Sequence, residues 1–242
     1  MTGSYREEHL FELKQAYEAW QFSLKQVEKV DTQIALQLGR MKCDRALPPL
    51  TLKRRPSRKI NVPRFDARMA LYYVVGLDLT EIEGISELTA LTLISEIGPE
   101  VSKFPTVKRF CSWLGLCPNW KKTGGRVKSS RTRPGVNRAA TAFRLAAHGL
   151  HRSQGALGAF LRRMKSRLGT PAALTATAHK LARIVYLALK HGLPYVRKSQ
   201  QEYEAQMKEK QIQTLKRKAR QLGLELIERP SAGSGTAALV QG

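Results

Sequence analysis

Hydroxyl and cationic side chains crowd one short stretch of this chain. Between Cys117 and Arg138 stand Thr123, Ser129 and Ser130, two adjacent glycines, Gly124 and Gly125, and the cations Lys121, Lys122, Arg126, Lys128, Arg131, Arg133 and Arg138, without a single acid. Glycines let a backbone approach a ligand closely, hydroxyls donate hydrogen bonds, and fixed cations neutralise phosphate. The chemistry this combination suits is the handling of phosphodiesters. The segment reads as a loop.

The charge pattern around it extends the argument. Formal net charge is +23, from 42 Lys plus Arg against 19 Asp plus Glu. From Val101 through Gln201 there is no Asp or Glu, while Lys and Arg recur throughout. A domain-length segment without acids repels itself unless a polyanion neutralises it, and because its cations are spread over several segments, nucleic acid fits better than a membrane surface. The same absence excludes carboxylate-based two-metal nuclease chemistry from this segment, since magnesium needs oxygen anions to hold it. His148, His151 and His179 are candidates for acid–base work, although a lone helical histidine is more often a surface or core residue. Cys43, Cys111 and Cys117 form neither an even disulfide framework nor a close metal-binding pair and read as ordinary reduced thiols, so no metal site is expected in this chain. No apolar run is long enough for a membrane span, and the charged amphipathic start is not a signal peptide; a cytoplasmic protein associated with the bacterial nucleoid is the expectation.

These residues need a scaffold, and the periodicity predicts an all-α one. At Leu10, Leu13, Tyr17, Trp20, Leu24, Val27, Ile34 and Leu38 the apolar spacing alternates three and four, with Asp31 in the polar slot. This heptad seam predicts one long helix from about Tyr5 to Leu38, suited either to coiled-coil pairing with a second copy or to packing within its own chain. The expected organisation is a coiled-coil helix (1–40), an extended basic linker (41–64), a compact helical domain (65–198), a charged helix (199–228) and a disordered tail (229–242).

Within the compact domain, Thr80 to Glu83 predicts a capping box, Gly84 a turn, Ser86 a second cap and Gly98 a helix end. Two short helices about a glycine turn form either a helix-hairpin-helix-like phosphate site at Gly84 or a purely structural hairpin. Pro105 suits the start of a helix to Leu114 with Phe110, Trp113 and Leu114 in the core. Asn137, Ser153, and Thr170 with Pro171 are expected to start three further helices, ending near Leu150, Leu168 and Lys190.

Taken in order, several stretches resemble transposases of the insertion sequence 110 type, which are similar to pilin-gene invertases. They are Leu79 to Gly98, Phe104-Pro105-Thr106 through Cys117-Pro118, Thr123-Gly124-Gly125 with Ser129-Ser130-Arg131-Thr132, Asn137-Arg138-Ala139-Ala140, and Ala176 through Arg183. Tyr5 to Phe11 and Leu193 to Val196 look similar too. The resemblance implies the helical half of a DNA recombinase: DNA as partner, in some members a guide RNA, self-association through the coiled coil, and a nucleophilic serine in the glycine loop. It also implies a preceding acidic ribonuclease-H-like domain that holds divalent metal (Mg), which this chain is expected to lack. The position of the serine reads Thr123 here. Threonine keeps the hydroxyl but adds a methyl beside it and still needs a base or nearby positive charge for activation. Phosphate binding by Lys121, Lys122, Gly124, Gly125, Arg126, Lys128, Ser129, Ser130, Arg131, Arg133, Arg138 and Gly84 is the accompanying expectation, and a non-catalytic nucleic-acid-binding remnant or regulator is the alternative to an active recombinase part.

Overall fold

The computed structural model describes residues 5–41, 47, 50 and 62–224. Most of the expected linker and tail therefore lies outside the described residues. The chain divides into two compact units, Met1–Val196 and Arg197–Gly242. Among the described residues the secondary structure is mainly helical, with one small two-stranded antiparallel sheet.

The first unit is organised around helix α7 (Thr170–His191), with Pro171 in its first turn and Gly192 closing its end. Ala173, Thr177, Ala178, Leu181, Ala182, Val185 and Ala188 are buried, so small residues let neighbours approach closely along much of its length. Helices α5 (Arg138–Gly149) and α6 (Ala156–Leu168) make its largest interfaces, and the short α4 (Val107–Trp113) packs on it too. Helix α3 (Glu87–Ile97) lies on α5 and on α2 (Ala67–Val75). In this core Phe143, Phe110, Leu93, Ile97, Leu114 and Leu150 are essentially inaccessible. Helix α8 spans Leu193–Gln221, beginning earlier and ending earlier than the periodicity suggested.

Helix α1 runs from Glu7 to Arg40. Its seam divides into two parts. Leu38 is buried and Ile34 half-buried where α1 meets α2, but Leu10, Leu13, Tyr17, Trp20 and Val27 stay exposed. Asp31, the polar residue of the seam, accepts a hydrogen bond from the Arg64 amide at 3.0 Å, and Glu28 pairs with the Arg64 guanidinium at 2.6 Å. That polar slot thus serves the chain's own return from the linker.

The turn region departs from the expected capping box. Asp78, not Thr80, begins the 3-10 turn Leu79–Glu81, accepting from the Thr80 amide at 2.9 Å and its hydroxyl at 2.6 Å. Asp78 is almost fully buried and takes a two-pronged donation from Arg68 of α2, at 2.8 and 2.5 Å. Burial alone raises its carboxyl, but the bonds from Arg68 and Thr80 prevail and hold it below the ordinary value. Glu83 turns away from the expected box and crosses to α6, accepting from the Ser153 hydroxyl and from the Leu157 amide at 3.2 Å. Ser153 therefore does not cap α6 directly; the Glu83 carboxylate satisfies one of that helix's free amides. Ser86 caps α3 as expected, bonding the Thr89 amide at 3.2 Å. Trp113, expected in the core, is 44 % exposed and leans on Phe104 and Phe110 at the rim. Its helix starts at Val107 with Thr106 as cap, two residues past Pro105.

Candidate nucleic-acid interface

The expected loop is a β-hairpin. Strands β1 (Lys121–Thr123) and β2 (Arg126–Ser129) pair with Thr123 opposite Arg126, Lys122 opposite Val127 and Lys121 opposite Ser129, leaving Lys128 as the extra residue of a bulge. Pairing continues through the Asn119 amide to the Arg131 carbonyl at 3.0 Å and a bridge between Pro118 and Thr132. Gly124 and Gly125 form the two-residue turn at φ 57° and 74°, the positive values that a type I′ hairpin requires and that other residues resist. The strand residues are mostly charged and exposed on both faces, so the sequence lacks the alternation of apolar and polar residues that marks a strand.

Both stems of the hairpin are tied to the helical core. Helix α4 ends in a Schellman motif: the Gly115 amide, at φ 67°, bonds to Ser112 O at 3.0 Å and the Leu116 amide to Cys111 O at 3.2 Å. Buried Leu116 anchors that exit. On the return side, the Asn137 side chain accepts from the Ala140 amide at 3.0 Å, capping α5, and its amide group donates to Trp113 O at 3.5 Å. Tyr186 of α7 donates to Phe104 O at 2.8 Å, holding the segment ahead of α4 against the central helix. The hairpin consequently projects from rigid elements.

Beneath one face of the hairpin lies an open groove of about 820 Å³ lined by Asn119, Lys121, Lys128, Ser129, Arg131, Thr132, Arg133, Pro134, Gly135 and Arg144. Five cations and three polar side chains converge there, with no carboxylate in the wall. Of the residues expected to bind phosphate, Lys121, Lys128, Ser129, Arg131 and Arg133 are brought together in this groove. Lys122, Gly124, Gly125, Arg126 and Ser130 lie on the hairpin outside its lining. Arg138 pairs with Glu96 of α3 at 3.2 Å. Gly84 sits in the turn before α3, where a Cβ would stand 2.9 Å from Leu150 Cδ2; its φ of +89° and this close packing account for a glycine there. Asn119, Thr132 and Arg144 were not anticipated. Arg144 had a signal, because Asn137, Thr141, Arg144 and His148 recur at helical spacing along one polar face of α5.

Thr123 ends β1 at the exposed hairpin tip. Its hydroxyl has no hydrogen-bond partner among the described residues, so nothing there serves as a base. His148 and His151 line another cleft, of about 230 Å³, with Arg162 and Lys165, and Lys165 Nζ is 3.3 Å from His151 Nε2. Burial, reinforced by Arg183, pushes His179 down and favours its neutral form. Burial pushes the Cys111 thiol up to about 12 and also raises Cys117, which favours the neutral thiol at both. Among the described residues no group of three or more His, Cys, Asp or Glu is placed to hold a metal ion. No described helix is long and apolar enough to cross a membrane.

Residues 77–162 match the family model described as Transposase IS116/IS110/IS902 family, a span running from the turn that carries Asp78 to the middle of α6 and enclosing the whole hairpin. The match covers 86 of the 242 residues and is to the family that the sequence motifs resemble. No curated protein matches the chain.

Proposed function

We propose that this transposase-family domain binds DNA backbone in the hairpin groove and acts in DNA transposition as the helical, strand-holding part of a recombinase assembly. The single observation that carries the reading is the convergence of Lys121, Lys128, Arg131, Arg133 and Arg144 on one groove within the family-matched span. A groove walled by cations and hydroxyls without carboxylates attracts phosphate whatever the bases are. Metal-dependent strand cleavage requires carboxylates from outside this helical domain, and the exposed apolar half of α1 supports pairing with a second copy.

In the catalytic form of this reading, the Thr123 oxygen attacks the phosphorus, its proton passes to a base brought by the assembled complex, and the departing strand leaves with the displaced oxygen. Groove cations offset the charge that develops on the phosphate. A second reading, a non-catalytic DNA-binding protein that co-assembles with a complete transposase, is favoured by one feature: the threonine hydroxyl has no activating partner among the described residues.

Fluorescence anisotropy with a labelled duplex tests the shared part. Wild-type protein is expected to bind with little sequence preference, and the combined Lys121→Ala, Arg131→Ala, Arg133→Ala variant at least about tenfold more weakly while retaining its helical circular-dichroism spectrum. Equal affinity of the two proteins would remove the groove from the reading.

A further inference from the structure

The two faces of the hairpin are chemically different. Residues 119, 121 and 123 share one face and residues 120 and 122 the other, because successive strand side chains alternate. Cross-strand partners share a face, which places Lys121 with Ser129 toward the groove and Lys122 with Val127 away from it. Trp120 falls on the Lys122 side and is 57 % exposed; Val127 is 49 % exposed. Neither lines the groove. The result is a large indole and a small aliphatic side chain held in solvent on the same face as a lysine, on a projection whose reverse side carries the groove with its five cations.

An exposed tryptophan on a rigid hairpin loses apolar hydration only when something flat or apolar covers it. The surroundings select the occupant. Lys122 shares the face of the indole, and no acid occurs from Val101 through Gln201, so a covering surface rich in negative charge is favoured over another copy of this strongly basic domain. Paired bases inside a duplex are already stacked and hide their faces, whereas unpaired bases expose theirs.

We infer that the outer face of the hairpin is a stacking platform for an unpaired nucleotide base, with Trp120 under the base, Val127 completing the apolar surface and Lys122 neutralising the adjoining phosphate. This rests on the nucleic-acid reading of the groove and adds a substrate class to it: the groove takes backbone from either a duplex or a single strand, and the outer face adds affinity only where bases are unpaired. The hairpin is then suited to sites where a duplex has been opened, one backbone on each side of it.

Anisotropy with an oligothymidylate strand and with a blunt duplex, on the full chain, separates the possibilities. Trp120→Ala is expected to weaken oligothymidylate binding by roughly five- to 150-fold, the range for one aromatic–base stack, and to leave duplex binding unchanged. Trp120→Phe is expected to retain most of the single-strand affinity. Oligothymidylate should quench tryptophan emission in wild type, and that quenching should vanish in Trp120→Phe, where Trp20 and Trp113 remain as internal controls. Equal losses on both probes, or none on either, would overturn the platform while leaving the groove reading standing. Failure of the wild-type chain to bind either probe would refute both. Loss of concentration-dependent self-association in Trp120→Ala, with single-strand affinity intact, would assign this face to a second copy and also overturn the inference.

Discussion

Neutralising a single groove cation should change how salt controls DNA affinity, and the structure sets the size of the change. Five cations line the groove, Lys121, Lys128, Arg131, Arg133 and Arg144. If each meets one phosphate, the groove contributes a slope of roughly −4.5 to the logarithm of the binding constant against the logarithm of salt concentration, at about −0.9 per contact. A fourfold rise in salt then costs roughly 500-fold in affinity. Arg131→Ala should reduce the slope by about 0.9 and the loss over the same interval to roughly 150-fold. Cations elsewhere on the chain add to the absolute slope, so the decrement is the diagnostic quantity. Arg138→Ala is the comparison: Arg138 is engaged by Glu96 at 3.2 Å and stands outside the groove lining, and its removal should change the slope by less than about 0.5. Anisotropy titrations of a labelled duplex over a potassium chloride series provide both slopes. A slope that Arg131→Ala leaves unchanged, or that Arg138→Ala lowers equally, would refute the assignment of phosphate binding to this groove.

Thr123→Ala should leave duplex affinity unchanged, because the residue is at the hairpin tip outside the groove lining, yet should abolish any covalent DNA adduct formed in a complete recombinase assembly; an adduct that survives on denaturing gels would exclude the threonine as nucleophile. Asp78→Asn should destabilise the domain by about 3 kcal/mol in urea titrations, at the lower end for a buried pair because the Arg68 side chain keeps 11 % exposure. The folded-state carboxyl of Asp78 is held below its ordinary value, so its contribution is fully present above the unfolded pKa of about 3.9 and is lost as pH falls through the lower folded value. The variant should lack that acid-dependent increment, and a wild-type acid limb unchanged in Asp78→Asn would contradict the assignment. Gly84→Ala should cost roughly 1–3 kcal/mol by thermal melting, since it combines a φ of +89° with a Cβ set 2.9 Å from buried Leu150; a melting temperature equal to wild type would show that Leu150 yields freely.

Helix identity was legible wherever packing follows a single local period. The α7 stripe of Leu174, Ala178, Leu181, Val185 and Leu189 could be assigned because helical spacing brings those residues to one side whatever the neighbours are. Asn137 and Ser86 could be assigned as caps because a short polar side chain before a helix has one nearby set of free amides to satisfy. The acid-free span and the cations of residues 121–133 stood in the sequence unaided, because charge type does not depend on folding. Other assignments required long-range geometry. Thr80 and Glu83 satisfied the spacing of a capping box, but the Thr80 amide bonds to buried Asp78, which Arg68 holds, and Glu83 reaches the Leu157 amide of α6 instead. The hairpin escaped notice because polar strands on an exposed projection carry no alternation; backbone pairing across the Gly124–Gly125 turn determines them. Helical spacing puts Arg144 on the polar face of α5, but only the tertiary structure brings that face to the groove beside β2. The sequence by itself thus determined the helices, the basic character and the run of cationic and hydroxyl residues between Cys117 and Arg138. Only the tertiary structure decided which of those residues share a groove and which stand on the opposite face, because register and strand pairing, rather than residue type, direct side chains to one side or the other.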